Sequence, residues 1–458
     1  MPEPLAPLTA RARLSVGALL VAEVCTAAAA IAQATVLGKL VYDITGSELD
    51  LGLLGLAEFA PALLLVLVSG AVADRFDRRR IVAIAGVTQA AMTVALGWYA
   101  GTNPTSIAPI ILLVLGFGVA LAFSSPANRS LPADLVDADR LPWLIARSVI
   151  AFEVGTIAGP VLGGFLYAAD IRLPFVVIAL LLLAMAGAIL LVKIDRRPAH
   201  ARADDTAPVT LEAAGASSPR SDALIEAEAF QEAAEEPSAG YSPAAPPREG
   251  LHGALEGLRF VRSEPIVLGA ISLDLFAVLF GGAIALLPAI AKDRLGLGAV
   301  GLGWLRAAGG IGAGAMTLAL AAKPITRRVG RTLLATVALF GVFTIVLGLT
   351  RSFVVAFVAI LALSAADSVS VFIRATLVPL ITPIEKRGRV LAVENVFIGA
   401  SNELGAFESG VTGQLLGTTG SVVLGGLATL VIAISWRFLF PSLRRVDRFP
   451  TPPEGNSA

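Results

Sequence analysis

Apolar residues fill long stretches of this chain, and polar positions gather in short clusters between them. A helix needs about 20 mostly apolar residues to cross the hydrocarbon of a bilayer. Runs of that kind fall at 14–38, 51–73, 80–100, 107–125, 143–168 and 173–194. A second set falls at 265–291, 299–322, 332–350, 352–378, 388–415 and 419–440. The pattern predicts an all-α membrane protein of twelve transmembrane helices in two six-helix bundles, 1–194 and 265–440. The first run, Leu14 to Leu37 after Arg11 and Arg13, has spanning length and reads as a membrane helix, not a cleavable signal.

Between the bundles, residues 195–250 are rich in Ala, Pro, Ser and Glu and hold few large apolar side chains. That composition predicts a disordered linker. Leu251, Leu255 and Leu258 then recur at helical spacing, which predicts a short helix over 251–264 lying on the membrane surface. Residues 441–458 form a tail. Basic residues set the orientation. One side receives Arg75, Arg78, Arg79, Arg80, Arg129, Arg140, Lys193, Arg196 and Arg197. It also receives Lys323, Arg327, Arg328, Arg331, Lys386, Arg387, Arg389 and the tail arginines Arg444, Arg445 and Arg448. The other side holds only Lys39, Arg172, Lys292, Arg294 and Arg351. The asymmetry places both termini, the linker and the tail in the cytoplasm, with the spans in a bacterial inner membrane.

Composition narrows the chemistry. Charged residues make up 15% of the chain, against about 25% in a soluble protein. The formal net charge of +0 offers nothing to a nucleic acid. Cys25 is the single cysteine and lies in an apolar run, while His200 and His252 lie in or beside the linker. Neither a disulfide framework nor a metal centre is expected. No HExxH, Walker loop or GxSxG occurs, so no enzymatic activity and no cofactor is expected.

The two sets of spans look like copies about 250 residues apart. Phe152-Glu153-Val154-Gly155 leads to Val161 and Gly163, and Asn402-Glu403-Leu404-Gly405 leads to Val411 and Gly413 at identical spacing. Ala73-Asp74-Arg75-Phe76-Asp77-Arg78-Arg79 has a degraded echo in Ala322-Lys323-Pro324-Ile325-Thr326-Arg327-Arg328. Glu23 and Asp274 fall at nearly the same offset. Parallel six-helix repeats with a site between the halves are a transporter architecture.

At this point the chain resembles a known family. Gly70-Ala-Val-Ala-Asp74-Arg75-Phe-Asp-Arg78-Arg79-Arg80, after the second span, resembles the signature loop of the major facilitator superfamily. The resemblance implies that Asp74, Arg75 and Arg79 tie this loop to neighbouring helices and bias the gate. Asp77 stands where the family usually has glycine. Gly155-Thr-Ile-Ala-Gly159-Pro160-Val-Leu-Gly163-Gly164 is similar to the motif of the exporter, or antiporter, branch. Physically, Gly155, Gly159 and Gly163 make a stripe that admits a close neighbouring backbone, and Pro160 removes one helix hydrogen bond. With Gly257-Leu-Arg259-Phe260 and the segment Phe397 to Gly410, the chain looks most like the enterobactin-exporter and macrolide-efflux group. Unlike many drug antiporters, it has no arginine between Ile110 and Phe123 in the fourth span.

Ionisable groups inside spans cost about 2.5–3.5 kcal/mol each at mid-bilayer and call for a reason. Counting along the helices puts Glu23, Glu153, Asp274, Asp367 and Glu403 near mid-span, as candidates for a central cavity and for proton exchange. Glu58 and Arg306 fall in the outer third as a candidate charge pair. Arg374 and Glu394 lie close enough to the cytoplasmic surface to snorkel. An acid-rich cavity favours cationic or neutral lipophilic compounds over a catecholate siderophore. The resulting expectation is a monomeric exporter of small amphiphilic molecules, drug-like compounds or siderophores, by proton antiport with alternating access. A proton-coupled importer, a lipid or lysolipid transporter of the same fold, and a membrane receptor or sensor are the alternatives.

Overall fold

The computed structural model describes residues 9–136, 140–192 and 250–450. The linker expected at 195–250 lies outside the described residues apart from Gly250.

Helix α1 (Ala10–Thr45) starts where the Thr9 side chain accepts from the Ala12 N–H at 3.2 Å, and it stops at Gly46, which turns left-handed at φ 61°. Ser47 then caps α2 (Glu48–Arg75). Next come α3 (Arg78–Ala100), α4 (Ala108–Leu135), α5 (Leu141–Ala169) and α6 (Leu173–Leu191). Beyond the linker follow α7 (Gly250–Ser263), α8 (Pro265–Phe280), α9 (Ala299–Ala322), α10 (Val329–Leu349), α11 (Phe353–Ile381), α12 (Ile384–Leu439) and α13 (Pro441–Arg445).

Ten of the described helical segments are long and apolar enough to cross a membrane. One of them, α12, is two passes joined at Gly417, whose φ 72° and ψ 158° no helix contains. Its arms, 384–416 and 418–439, are called α12a and α12b. Dividing α12 and adding α2, which packs against α4 and α12a, gives twelve passes in two bundles of six, α1–α6 and α8–α12b. The two ends of the assembly are called here the linker end, where Val192 and Gly250 lie, and the far end.

The seventh pass differs from its pattern. The apolar run 265–291 predicts one continuous helix, but α8 stops at Phe280. The chain continues as a 3₁₀ turn (Ala283–Leu286), one α turn (Leu287–Ala289) and a π turn (Ile290–Arg294). The Gly281-Gly282 pair permits the break and lets α12a come close: a Cβ on Gly282 would sit 2.6 Å from the Gly405 carbonyl oxygen. In the helix expected at the membrane surface, Leu258 and Val261 of α7 pack against Val390 and Val393 of α12a, and Leu255 is 58% exposed. The Leu251 side chain lies outside the described residues.

The three largest apolar clusters are one in each half and one that joins the halves. Ala22, Leu131, Leu144 and Leu182 belong to the first half, and Leu273, Leu333, Ile373 and Leu377 to the second. The joining cluster unites Leu37, Leu40 and Leu51 with Leu286, Leu302 and Leu305 at the far end. Because lipid tails are as apolar as these side chains, close packing and polar contacts hold the halves together rather than hydrophobic burial.

Candidate functional site

Two pairs of helices form the surface between the halves: α5 with α9, and α2 with α12a. Both pairs approach through glycine. Along α5 and α9, a Cβ on Gly164 would lie 2.5 Å from the Ala299 carbonyl oxygen, and Gly303 packs on Pro160. Further toward the middle, Gly310 meets Thr156 and Ile157, and Gly314 meets the Glu153 carboxyl. Along α2 and α12a, Gly410 and Gly413 meet Glu48, Gly52 meets Phe407, and Gly55 meets Ala406 and Glu403. Ile398 packs among Phe59, Ala62 and Leu65 at the inner limit of this contact.

The repeat-related acids Glu153 and Glu403 thus take matching places, each on one half and seated against a glycine of the other. Glu153 Oε2 would lie 3.6 Å from a Cβ on Gly314, and Glu403 Oε2 would lie 3.2 Å from one on Gly55. Glu153 Oε2 is buried and makes no hydrogen bond. The stripe Gly155, Gly159 and Gly163 turns the other way, onto Val24, Ala28 and Ala32 of α1. Gly164, beside it, belongs to the surface between the halves, as does the Pro160 carbonyl.

Glu58 on α2 and Arg306 on α9 lie on the same helices that form this surface. They do not form the contact pair expected from the sequence: among the described residues no ion pair joins Glu58 to Arg306, and Arg306 Nε is buried without an acceptor.

The remaining candidates lie elsewhere. Glu23 sits partly buried on α1. Asp274 and Asp367 lie inside the second half, not between the halves, and line one small cavity there. Asp274 is held by Arg374 at 3.0 Å, and Arg374 reaches Glu394 at 3.5 Å. Arg374 and Glu394 are 3% and 4% exposed, so they do not snorkel to the surface. Arg374 faces α8 and α12a, where burial is set by neighbours and not by depth along its own helix.

In the signature loop, Gly70 and Arg75 lie in the last turns of α2, and the Asp74 side chain lies outside the described residues. Asp77 caps α3, accepting from the Arg79 N–H at 3.1 Å, and pairs with the Arg79 guanidinium at 2.9 Å. Arg79 also donates to the Val192 carbonyl at the end of α6, at 2.8 Å. Arg78 opens α3.

Sequence reasoning missed a polar latch at the far end. Tyr42 donates to Asp293, Lys292 pairs with Asp43 at 3.1 Å, Thr418 donates to Glu48 at 2.7 Å, and Ser47 bonds Gln414 at 3.2 Å. These four contacts join α1 and α2 of the first half to the second half. Lys39 pairs with Asp43 one helical turn away, but nothing in the spacing of Lys292, which entered the orientation count, marks it as a partner of Asp43 about 250 residues before it.

Residues 19–372 match the sequence model of the Major Facilitator Superfamily. A multidrug efflux pump, Tap of Mycolicibacterium fortuitum, is 27% identical over 435 residues, covering 90% of this chain and 92% of that protein. A bacterial homologue of the human lysosomal transporter Spinster, in inward-facing and occupied form, superposes with TM-score 0.66 at 17% identity over 95% of this chain and 98% of that one. The human organic anion transporter MFSD10 gives TM-score 0.57 at 16% identity, over 93% and 99% of the two chains.

Proposed function

The chain belongs to the Major Facilitator Superfamily, and we propose that it exports small amphiphilic molecules by proton antiport, with Glu153 and Glu403 carrying the coupling. As a multi-pass transporter of that family it acts on small molecules. The single observation that carries the finer reading is the seating of both glutamates in the surface that must open and close.

An ionised carboxylate is costly in a water-poor, packed interface, and a protonated one far less so. Protons reaching Glu153 and Glu403 from the far side therefore favour the form described here, closed at the far end. Once the linker end is open to water the protons leave, and the ionised carboxylates disfavour that closed surface. Loaded substrate then travels outward as the far end reopens. The sign of this linkage is antiport: proton inward, substrate outward.

The exporter-type glycine motif and the relative described as a multidrug efflux pump support the outward direction. Glu58, Glu153 and Glu403 set against Arg306 favour cationic or neutral amphiphiles over anions such as catecholate siderophores. Gating through Arg75 and Arg79, and both termini in the cytoplasm, belong to the same reading.

Glu153→Gln with Glu403→Gln keeps shape and hydrogen-bonding capacity while removing the titration. Cells expressing the double variant at wild-type level should lose efflux of a cationic dye about tenfold or more, equivalent to about 1.4 kcal/mol of barrier. Wild-type efflux from that variant would remove both residues from the mechanism.

A further inference from the structure

Helix α7 ends at Ser263 and the seventh pass begins at Pro265, so α7 stands at the linker end, where a span meets the headgroup layer. One face of α7 packs down onto α12a. A Cβ on Gly257 would sit 2.6 Å from the Arg389 carbonyl oxygen, beside the contact of Leu258 and Val261 with Val390 and Val393. Next to that contact, α7 and the start of α12a leave an open groove of about 550 Å³. Clefts that hold small molecules span about 300–1,000 Å³. Leu255, Glu256, Arg259, Phe260, Ser263 and Lys386 line the groove.

The charged part of this lining is basic on balance. Glu256 is its one acid, and it already accepts from the Arg389 guanidinium at 2.5 Å. Lys386 approaches the other Glu256 oxygen only to 3.6 Å, beyond hydrogen-bond distance, so its ammonium keeps donors to offer. Arg259 is exposed and makes no hydrogen bond or ion pair among the described residues. Counting Arg389, three basic groups stand here against one acid; Glu264 and Glu385 do not line the groove.

Large apolar side chains stand open beside these cations. Leu255 is 58% exposed, and Ile384, two residues before Lys386, is 76% exposed. A soluble anion would use the cations and leave both side chains in water. A phospholipid of net negative charge uses both parts, its phosphate meeting the cations and its acyl chains covering the apolar side chains. We propose that this groove binds an anionic phospholipid, with its phosphate between Arg259 and Lys386 and its acyl chains against Leu255 and Ile384. Bound there, the lipid ties α7 to α12a. The groove shares no residue with the surface between the halves, so the site stands whether or not Glu153 and Glu403 carry protons.

The test is thermal unfolding of the delipidated full-length protein in detergent, titrated with phosphatidylglycerol, phosphatidylcholine or inorganic phosphate. A ligand that binds the folded form raises the melting temperature in a saturable way. Phosphatidylglycerol should do so, and the other two should not. Arg259→Gln should weaken the apparent phosphatidylglycerol affinity about tenfold, the loss of one charged contact to the phosphate. Lys386→Gln should weaken it similarly, which keeps the test open if either variant folds poorly. Arg331→Gln removes the same charge from α10, at the same end but outside the groove, and should leave the affinity unchanged. Equal stabilisation by phosphatidylcholine, or by inorganic phosphate, would overturn the proposal. So would a loss of affinity in Arg331→Gln as large as that in Arg259→Gln, which would make the attraction diffuse.

Discussion

Arg374 sits within seven residues of the end of α11 at Ile381, a depth from which a long side chain ordinarily reaches the surface. Its neighbours decide otherwise, since Asp274 and Glu394 hold it at 3.0 and 3.5 Å inside the second half. Breaking such a group leaves buried charge uncompensated, which costs about 3–5 kcal/mol. Arg374→Ala should lower the stability of the detergent-purified protein by that order in denaturant unfolding. Arg374→Met combined with Asp274→Asn and Glu394→Gln should recover most of the loss, because no ion then remains to be paired. Asp77 makes a similar point on the surface. It replaces the family's usual glycine, caps α3 and grips Arg79, so Asp77→Ala should cost about 1 kcal/mol in the same unfolding measurement. Charges inside spans are legible in a sequence, but their partners are not, because pairing is made by helices far apart in the chain.

Glycine sets how closely elements pack, and the two kinds of glycine surface predict different outcomes. Gly159 faces α1 within one half, where a Cβ would meet the Ala28 backbone. Gly159→Val should overpack that contact and lower stability by about 1–3 kcal/mol with little change in which end is open. Gly410 faces Glu48 and Gly52 across the halves, with a Cβ 2.8 Å from the Glu48 carbonyl oxygen. Gly410→Val should therefore push the far end apart. Cys25 is the only cysteine, so a Cys25→Ser background accepts spin labels at Thr45 and Gly298, and the distance between them should lengthen in Gly410→Val but not in Gly159→Val. At this scale the pattern of apolar runs located all twelve passes, and the gap between 415 and 419 marked the turn at Gly417. The break after Phe280 escaped because Gly281-Gly282 sits in an unbroken apolar run, where periodicity looks the same for one helix or two.

For the whole molecule, the duplication about 250 residues apart becomes two bundles whose corresponding glutamates meet the opposite half. The repeat was readable from residue spacing. The far-end latch was not, since Tyr42, Asp43 and Glu48 find Asp293, Lys292 and Thr418 only once the halves dock. Proton movement through the surface between the halves is proposed to drive export. Inside-out membrane vesicles with an acid interior present the linker end to the medium and test it most directly. A lipophilic cationic dye should accumulate in vesicles carrying the wild-type protein, leave when the gradient is collapsed, and fail to accumulate with Glu153→Gln/Glu403→Gln. Accumulation that continues unchanged after the gradient is collapsed would contradict the claim.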